Sequence, residues 1–157
     1  PAGPEIDRLA KKGMSDAFQF PIPKVEGLDV SFSGLKTAFI NLVHKNKNIN
    51  PNFIQENLND LCASIQKTFV VVIINKIILA KEKYNLNRIV IGGGVAANSE
   101  IRQVLGEKVI DDKWEVFLPP FQYTTDNAAM IGIVGYQKLL SQQWSKMNQN
   151  VSARLSL

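Results

Sequence analysis

The sequence predicts an α/β fold, with a mainly helical part over residues 1–84 and an α/β core over residues 85–157. Two apolar runs carry this expectation. Arg88-Ile89-Val90-Ile91 ends on Gly92-Gly93-Gly94, the profile of a buried parallel strand. Trp114 to Leu118 repeats the pattern and is stopped by Pro119-Pro120. Helical patterning follows each run, over Ala97 to Asp111 and over Thr125 to Trp144, with Thr124 or Thr125 as the N-cap of the second helix. Strand, Gly-rich turn, helix, strand, helix is the order of a right-handed α/β unit with helices packed on the sheet.

The elements before this unit are helical. Pro4, with Glu5 and Asp7 behind it, opens a short helix that should stop at Gly13. Pro21-Ile22-Pro23 forces extended chain. Ser31 or Ser33 is read as the N-cap of a helix running to about His44, with Leu35, Ala38, Phe39 and Leu42 on its buried face. Lys45 to Asn52 is polar and reads as a surface connection. A long helix follows Pro51 and runs to about Tyr84, paced by Phe53, Leu58, Leu61, Ile65, Phe69, Val72, Ile73 and Ile77. The β-branched run Val70 to Ile74 would also suit a buried strand. Helical flanks and the lack of a turn residue favour the helix.

Composition narrows the class. The 157 residues are 45% hydrophobic and 20% charged, which excludes disordered and low-complexity chains. One cysteine, Cys62, excludes a disulfide framework, and its apolar helical setting reads as a buried, reduced thiol. One histidine, His44, excludes a triad or a two-histidine metal site built from these residues alone. At an expected helix end it reads as a surface residue. The net charge of +4 suits a nucleic-acid partner without requiring one. Lys81-Glu82-Lys83 and the basic residues Lys138, Lys146 and Arg154 read as solvated faces. The stretch Phe69 to Ala80 is interrupted by Asn75 and Lys76 and is too short to span a bilayer, so the expectation is a cytoplasmic protein without membrane contact. Pro1 to Glu5 show neither an initiator Met nor a signal-peptide pattern, and the natural start is expected upstream.

Two segments could carry chemistry. In Gly92-Gly93-Gly94-Val95-Ala96-Ala97-Asn98, glycines between strand and helix allow close approach of a ligand, and the helix N-terminus offers N–H groups to an anion. The spacing fits neither a P-loop nor a dinucleotide fingerprint. Asn98 would cap the helix or meet a ligand hydroxyl. In Thr124-Thr125-Asp126-Asn127, the Asp126 carboxylate would either complement a helix dipole or bind a cation at the carboxyl end of a strand. Ser33 has no identifiable base beside it and reads as a capping residue.

Four motifs in order resemble one family. Pro1-Ala2-Gly3-Pro4-Glu5-Ile6-Asp7-Arg8-Leu9-Ala10 is similar to a P-G-G-P-x-[IL]-[DS]-x-[LM]-A segment, with Ala2 in place of the first glycine. Ser31-Phe32-Ser33-Gly34-Leu35-Lys36-Thr37-Ala38 is similar to F-S-F-S-G-L-K-T-A, with Val30 in place of the first Phe. Gly92 to Asn98 resembles G-G-V-[AS]-A-N, and Thr125 to Ile131 resembles [CT]-D-N-[AG]-A-M-I. These are motifs of the tRNA threonylcarbamoyladenosine synthase subunit family TsaD, related to the KEOPS catalytic subunit.

The resemblance implies the C-terminal part of an actin/Hsp70-like (RNase H-like) lobe with a helical subdomain. It implies transfer of a threonylcarbamoyl group from threonylcarbamoyl-AMP to N6 of the adenosine beside the anticodon in tRNAs reading ANN codons. Gly3 and Asn98 would contact the adenylate, with Gly92, Gly93 and Gly94 beside it, and Asp126 would be one ligand of a divalent iron or zinc ion. The implied partners are tRNA, a paralogous TsaB-like subunit, and a TsaE-like ATPase or KEOPS-like subunits. Lys11, Lys12, Lys36 and Lys47 are candidates for tRNA phosphate contact. The family's His-x-x-x-His ligands and acidic loop would precede Pro1, so these 157 residues alone are expected to be inactive. A non-catalytic nucleotide- or protein-binding module is the alternative. The family's older label, O-sialoglycoprotein endopeptidase, finds no H-E-x-x-H motif here.

Overall fold

The computed structural model describes residues 2–148 and 150. Pro1 and Arg154, both named above, lie outside them. Helix α1 spans Ala2–Ala10, α2 Ser33–Ile49 and α3 Phe53–Tyr84; strand β1 spans Arg88–Val90, α4 Ser99–Asp111, β2 Glu115–Phe117 and α5 Ala128–Leu140.

The molecule is organised on α3. Its 32 residues make it long and apolar enough, by composition, to cross a membrane, yet the other elements pack along it. The β-branched run Val70 to Ile74 is helical. In its first half Leu61, Cys62, Ala63 and Ser64 are buried consecutively, so every face is covered. Helix α1 covers one side through Ile6, Leu9 and Ala10 against Cys62 and Ala63. Residues 11–32 run along another side as a strap of turns and irregular chain. Asp60 accepts from the Met14 N–H at 2.7 Å, the Ser64 hydroxyl accepts from the Phe18 N–H at 3.1 Å, and the Lys76 ammonium donates to the Val25 and Gly27 carbonyls at 2.7 and 2.6 Å. The strap begins at Gly13, where a Cβ would lie 2.1 Å from the Asn59 carbonyl oxygen. Only glycine lets the two backbones approach this closely. The second half of α3 packs Val70 and Ile74 against Ile101, Leu105 and Trp114. Asn85 ends the helix in the left-handed region, with the Leu86 N–H closing onto the Lys81 carbonyl.

β1 and β2 pair in parallel, Arg88 opposite Glu115 and Val90 opposite Phe117, as the strand–turn–helix order predicts. The pairing is shorter than the apolar runs. On one face Ile89 and Val116 meet the α3–α4 core, while Val90 and Phe117 on the other face are exposed.

Several expected boundaries are corrected. Helix α2 begins after Phe32, not at a serine cap: no side chain caps it, and the Phe32 ring stacks on Phe69 at 4.7 Å while its carbonyl accepts from the Lys36 N–H. It also runs past His44 to Ile49, because nothing halts it until Pro51 makes Asn50 extended. His44 is therefore an exposed mid-helix residue. Leu58, expected in the core, is 40% exposed. Helix α4 starts at Ser99 because Gly94–Ala97 forms a 3₁₀ turn. Helix α5 starts at Ala128 with Asn127 as its cap. The Thr124 hydroxyl, buried, instead donates back to the Phe121 carbonyl. The same helix stops at Leu140, short of Trp144, where Gln142 turns left-handed.

Candidate ligand-binding site

The site grows from the carboxyl end of β1. The Ile91 N–H makes the last sheet bond, to the Phe117 carbonyl at 3.1 Å, and Gly92 then leaves the sheet. Gly93 has φ +76°, a conformation that side-chain-bearing residues avoid. The 3₁₀ turn Gly94–Ala97 follows and delivers Asn98 to the N-cap of α4.

Asn98 joins α4 to α3. Its Oδ1 accepts from the Ile101 N–H at 3.0 Å, and its Nδ2 donates to Gln66 Oε1 on α3 at 2.9 Å. Next to it, Asp7 Oδ1 on α1 accepts from both the backbone N–H and the hydroxyl of Ser99, at 3.1 and 2.9 Å. This narrows one expectation. The Ser99 and Ile101 N–H groups of the first turn of α4 are taken by this chain's own side chains, and the Asp7 carboxylate stands where an anion would be favoured.

A cavity of about 430 Å³ opens at this junction. Its walls are mostly apolar, with Ile6, Leu35, Phe39, Ile65 and Phe69 among them; Gly3, Gln66 and Asn98 line it and Lys36, exposed, stands on its rim. A smaller cavity of about 310 Å³ shares Gly3, Phe69 and Asn98 and adds Asp7, Gly94 and Val95. Gly3 and Asn98, from distant parts of the sequence, thus line the same space. Of the three turn glycines, Gly94 lines the smaller cavity, and Gly92 and Gly93 line neither.

Electrostatics around the cavity are set by burial. Glu100, in the first turn of α4, is pushed above the usual carboxylate range by desolvation; the Gln66 amide opposes this, the Asp7 charge adds to it, and Lys67 opposes it. Burial also raises the Cys62 thiol, which leaves it unreactive. Lys11 pairs with Asp7 at 3.8 Å.

Gln66 and Arg102 were not singled out by the sequence reading. Arg102 donates to the Ala96 carbonyl and to the Pro119 carbonyl, both at 2.6 Å, and its guanidinium lies over the Phe121 ring, 4.1 Å from the centroid. It ties the turn after β1 to the connection after β2. No motif rule marks an arginine one turn into a helix; its position four residues after an N-cap Asn was the available signal.

Asp126 lies in the connection before α5, two residues ahead of its first turn, so it is not the dipole-complementing residue expected. It is exposed and lines neither cavity. Among the described residues no group of three His, Cys, Asp or Glu could hold a metal ion. One exposed carboxylate is not a metal site, so the described residues do not fit a bound ion by themselves.

A parallel strand pair that opens through a glycine turn beside a largely apolar cavity, with a few convergent polar groups, marks a candidate ligand-binding site of an α/β protein. The chain matches the family described as TsaD: tRNA N6-adenosine threonylcarbamoyltransferase over residues 1–133, and it belongs to that family. It is 45% identical over 154 residues to the tRNA N6-adenosine threonylcarbamoyltransferase of Christiangramia forsetii, covering 98% of this chain and 45% of that protein. The protein of the same name from Riemerella anatipestifer is 41% identical, covering all of this chain and 46% of its own length. That from Thermodesulfovibrio yellowstonii is 46% identical over 162 residues, covering all of this chain and 47% of its own length. The chain spans just under half the length of the curated relatives it matches.

Proposed function

We propose that this chain is the C-terminal half of an enzyme that transfers a threonylcarbamoyl group from threonylcarbamoyl-AMP to N6 of the adenosine beside the anticodon in tRNAs reading ANN codons. One observation carries the reading: Gly3 and Asn98, the residues that the family resemblance assigns to the adenylate, line one cavity large enough for a nucleotide. The apolar walls would hold the base. Lys36 would supply positive charge for the phosphate, since Asp7 makes the α4 N-terminus unfavourable for it. Gly94 would leave room for the ribose side. In this reading the two parts, 1–84 and 85–157, belong to one actin/Hsp70-like lobe. Asp126 would contribute a single oxygen ligand to a divalent metal ion, iron or zinc, whose remaining ligands are not among the described residues. The cavity and tRNA would be served by TsaB-like and TsaE-like, or KEOPS-like, subunits, with Lys11, Lys12, Lys36 and Lys47 offered to tRNA phosphates in the cytoplasm. The isolated Asp126 favours one second reading, in which these residues alone bind nucleotide without catalysing transfer.

Asn98→Asp tests the assignment, because it keeps an oxygen for the Ile101 N–H and removes the amide donor. In the full protein encoded by the reading frame that contains this chain, it is expected to weaken AMP binding about tenfold or more and to slow modified-nucleoside formation, read by mass spectrometry of tRNA digests. Unchanged AMP affinity would remove Asn98 and this cavity from the site.

A further inference from the structure

The orientation of one buried amide follows from a chain of hydrogen bonds. A backbone N–H can only donate, so the Asn98 atom that meets Ile101 is the oxygen. Nδ2 of Asn98 then faces α3, and the Gln66 atom that meets it must be the acceptor, Oε1. Gln66 Nε2 is left as a pure donor with two hydrogens. Neither has an acceptor in the hydrogen bonds of the described residues, and no buried side-chain polar atom there is sealed without a partner. Gln66 is 6% exposed and lines the larger cavity, so the access that Nε2 retains is to that cavity.

A donor set within largely apolar walls selects a ligand that is flat and apolar over most of its surface and carries an acceptor at its edge. Resting on the adenylate reading above, we propose that Gln66 is a specificity-determining residue of this cavity, its Nε2 donating to an unprotonated ring nitrogen of the bound adenine. The ring nitrogens of adenine are acceptors, whereas its exocyclic amine is a donor and would leave Nε2 unsatisfied.

The test is calorimetric binding of AMP and its 1-deaza, 3-deaza and 7-deaza analogues to the full protein, wild type and Gln66→Met. The expected result is that one analogue binds the wild type about tenfold more weakly than AMP, the effect of one lost hydrogen bond. Gln66→Met should bind AMP and that analogue equally. Gln66→Glu, which keeps an acceptor for Asn98 but removes the donor, should lose the same discrimination and serves if the Met variant does not fold. A merely structural Gln66 would shift all four ligands together. The proposal is overturned if the wild type binds every analogue within twofold of AMP, or if discrimination survives in both variants. Failure of the wild type to bind AMP at all would instead overturn the adenylate reading and this assignment with it.

Discussion

Helices α3 and α5 are both strongly apolar, yet they have opposite surroundings. Around Leu61 to Ser64, α3 is covered on every side by α1, the strap and its neighbours. No residue of α5 is buried, and Ile131 and Leu140 are 76% and 62% exposed. The bare side of the strand pair, Val90 and Phe117, shares this condition. Apolar composition therefore says that a helix needs a cover but not where the cover comes from. The larger cavity belongs to the covered region, which is why its polar groups are held from several directions. Asp126 belongs to the uncovered one.

The sharpest way to break this contrast is a pair of truncations followed by urea unfolding. Ile101→Ala removes a side chain with no exposure at the α3–α4 contact and is expected to cost about 3–4 kcal/mol. Ile131→Ala on α5 is expected to cost no more than about 0.5 kcal/mol if the helix is bare. A loss above about 2 kcal/mol for Ile131→Ala would show that another surface covers α5 in the full protein.

Gly13→Ala probes how tightly the strap is laid on α3. The new methyl would collide with backbone at Asn59, which cannot turn aside as a side chain can. Destabilisation of about 2–3 kcal/mol is expected, with a lowered Tm. A neutral result would mean that the strap floats free of the helix.

The smallest effect concerns Glu100. Burial raises its pKa in the folded state above the ordinary 4.5, so the folded chain holds that proton more tightly than the unfolded one. Its contribution favours folding at acid pH and is lost as pH rises from the ordinary value through the raised one. Glu100→Gln should therefore increase stability at pH 7 and leave it unchanged near pH 3. A gain that is equal at both pH values would place the effect elsewhere.

The element types were legible because their signals are local. Gly92 to Gly94 mark the end of β1, and Pro51 and the 3.6-residue spacing mark α3. The boundaries that moved depended on tertiary contacts. Phe32 starts α2 through its stacking on Phe69, and Thr124 was lost as a cap because its hydroxyl turned inward. Half of the site was visible as motif: Gly3, Gly94 and Asn98 were named from sequence and line the cavities. The supporting half was not. Gln66 sits in an apolar helical stretch where only its neighbours reveal why an amide is needed, and the Asp7–Ser99 contact joins residues that no sequence window contains together.

That Asp7–Ser99 contact has a consequence for synthesis. Asp7 leaves the ribosome 92 residues ahead of Ser99, and the cavity that α1 helps to wall has no opposite side until Asn98, Ser99 and Ile101 have emerged and α4 has wound. If the cavity takes a nucleotide as proposed, that nucleotide finds nothing to hold until α4 has been made, and ligand capture would report that these walls have closed rather than help them to start.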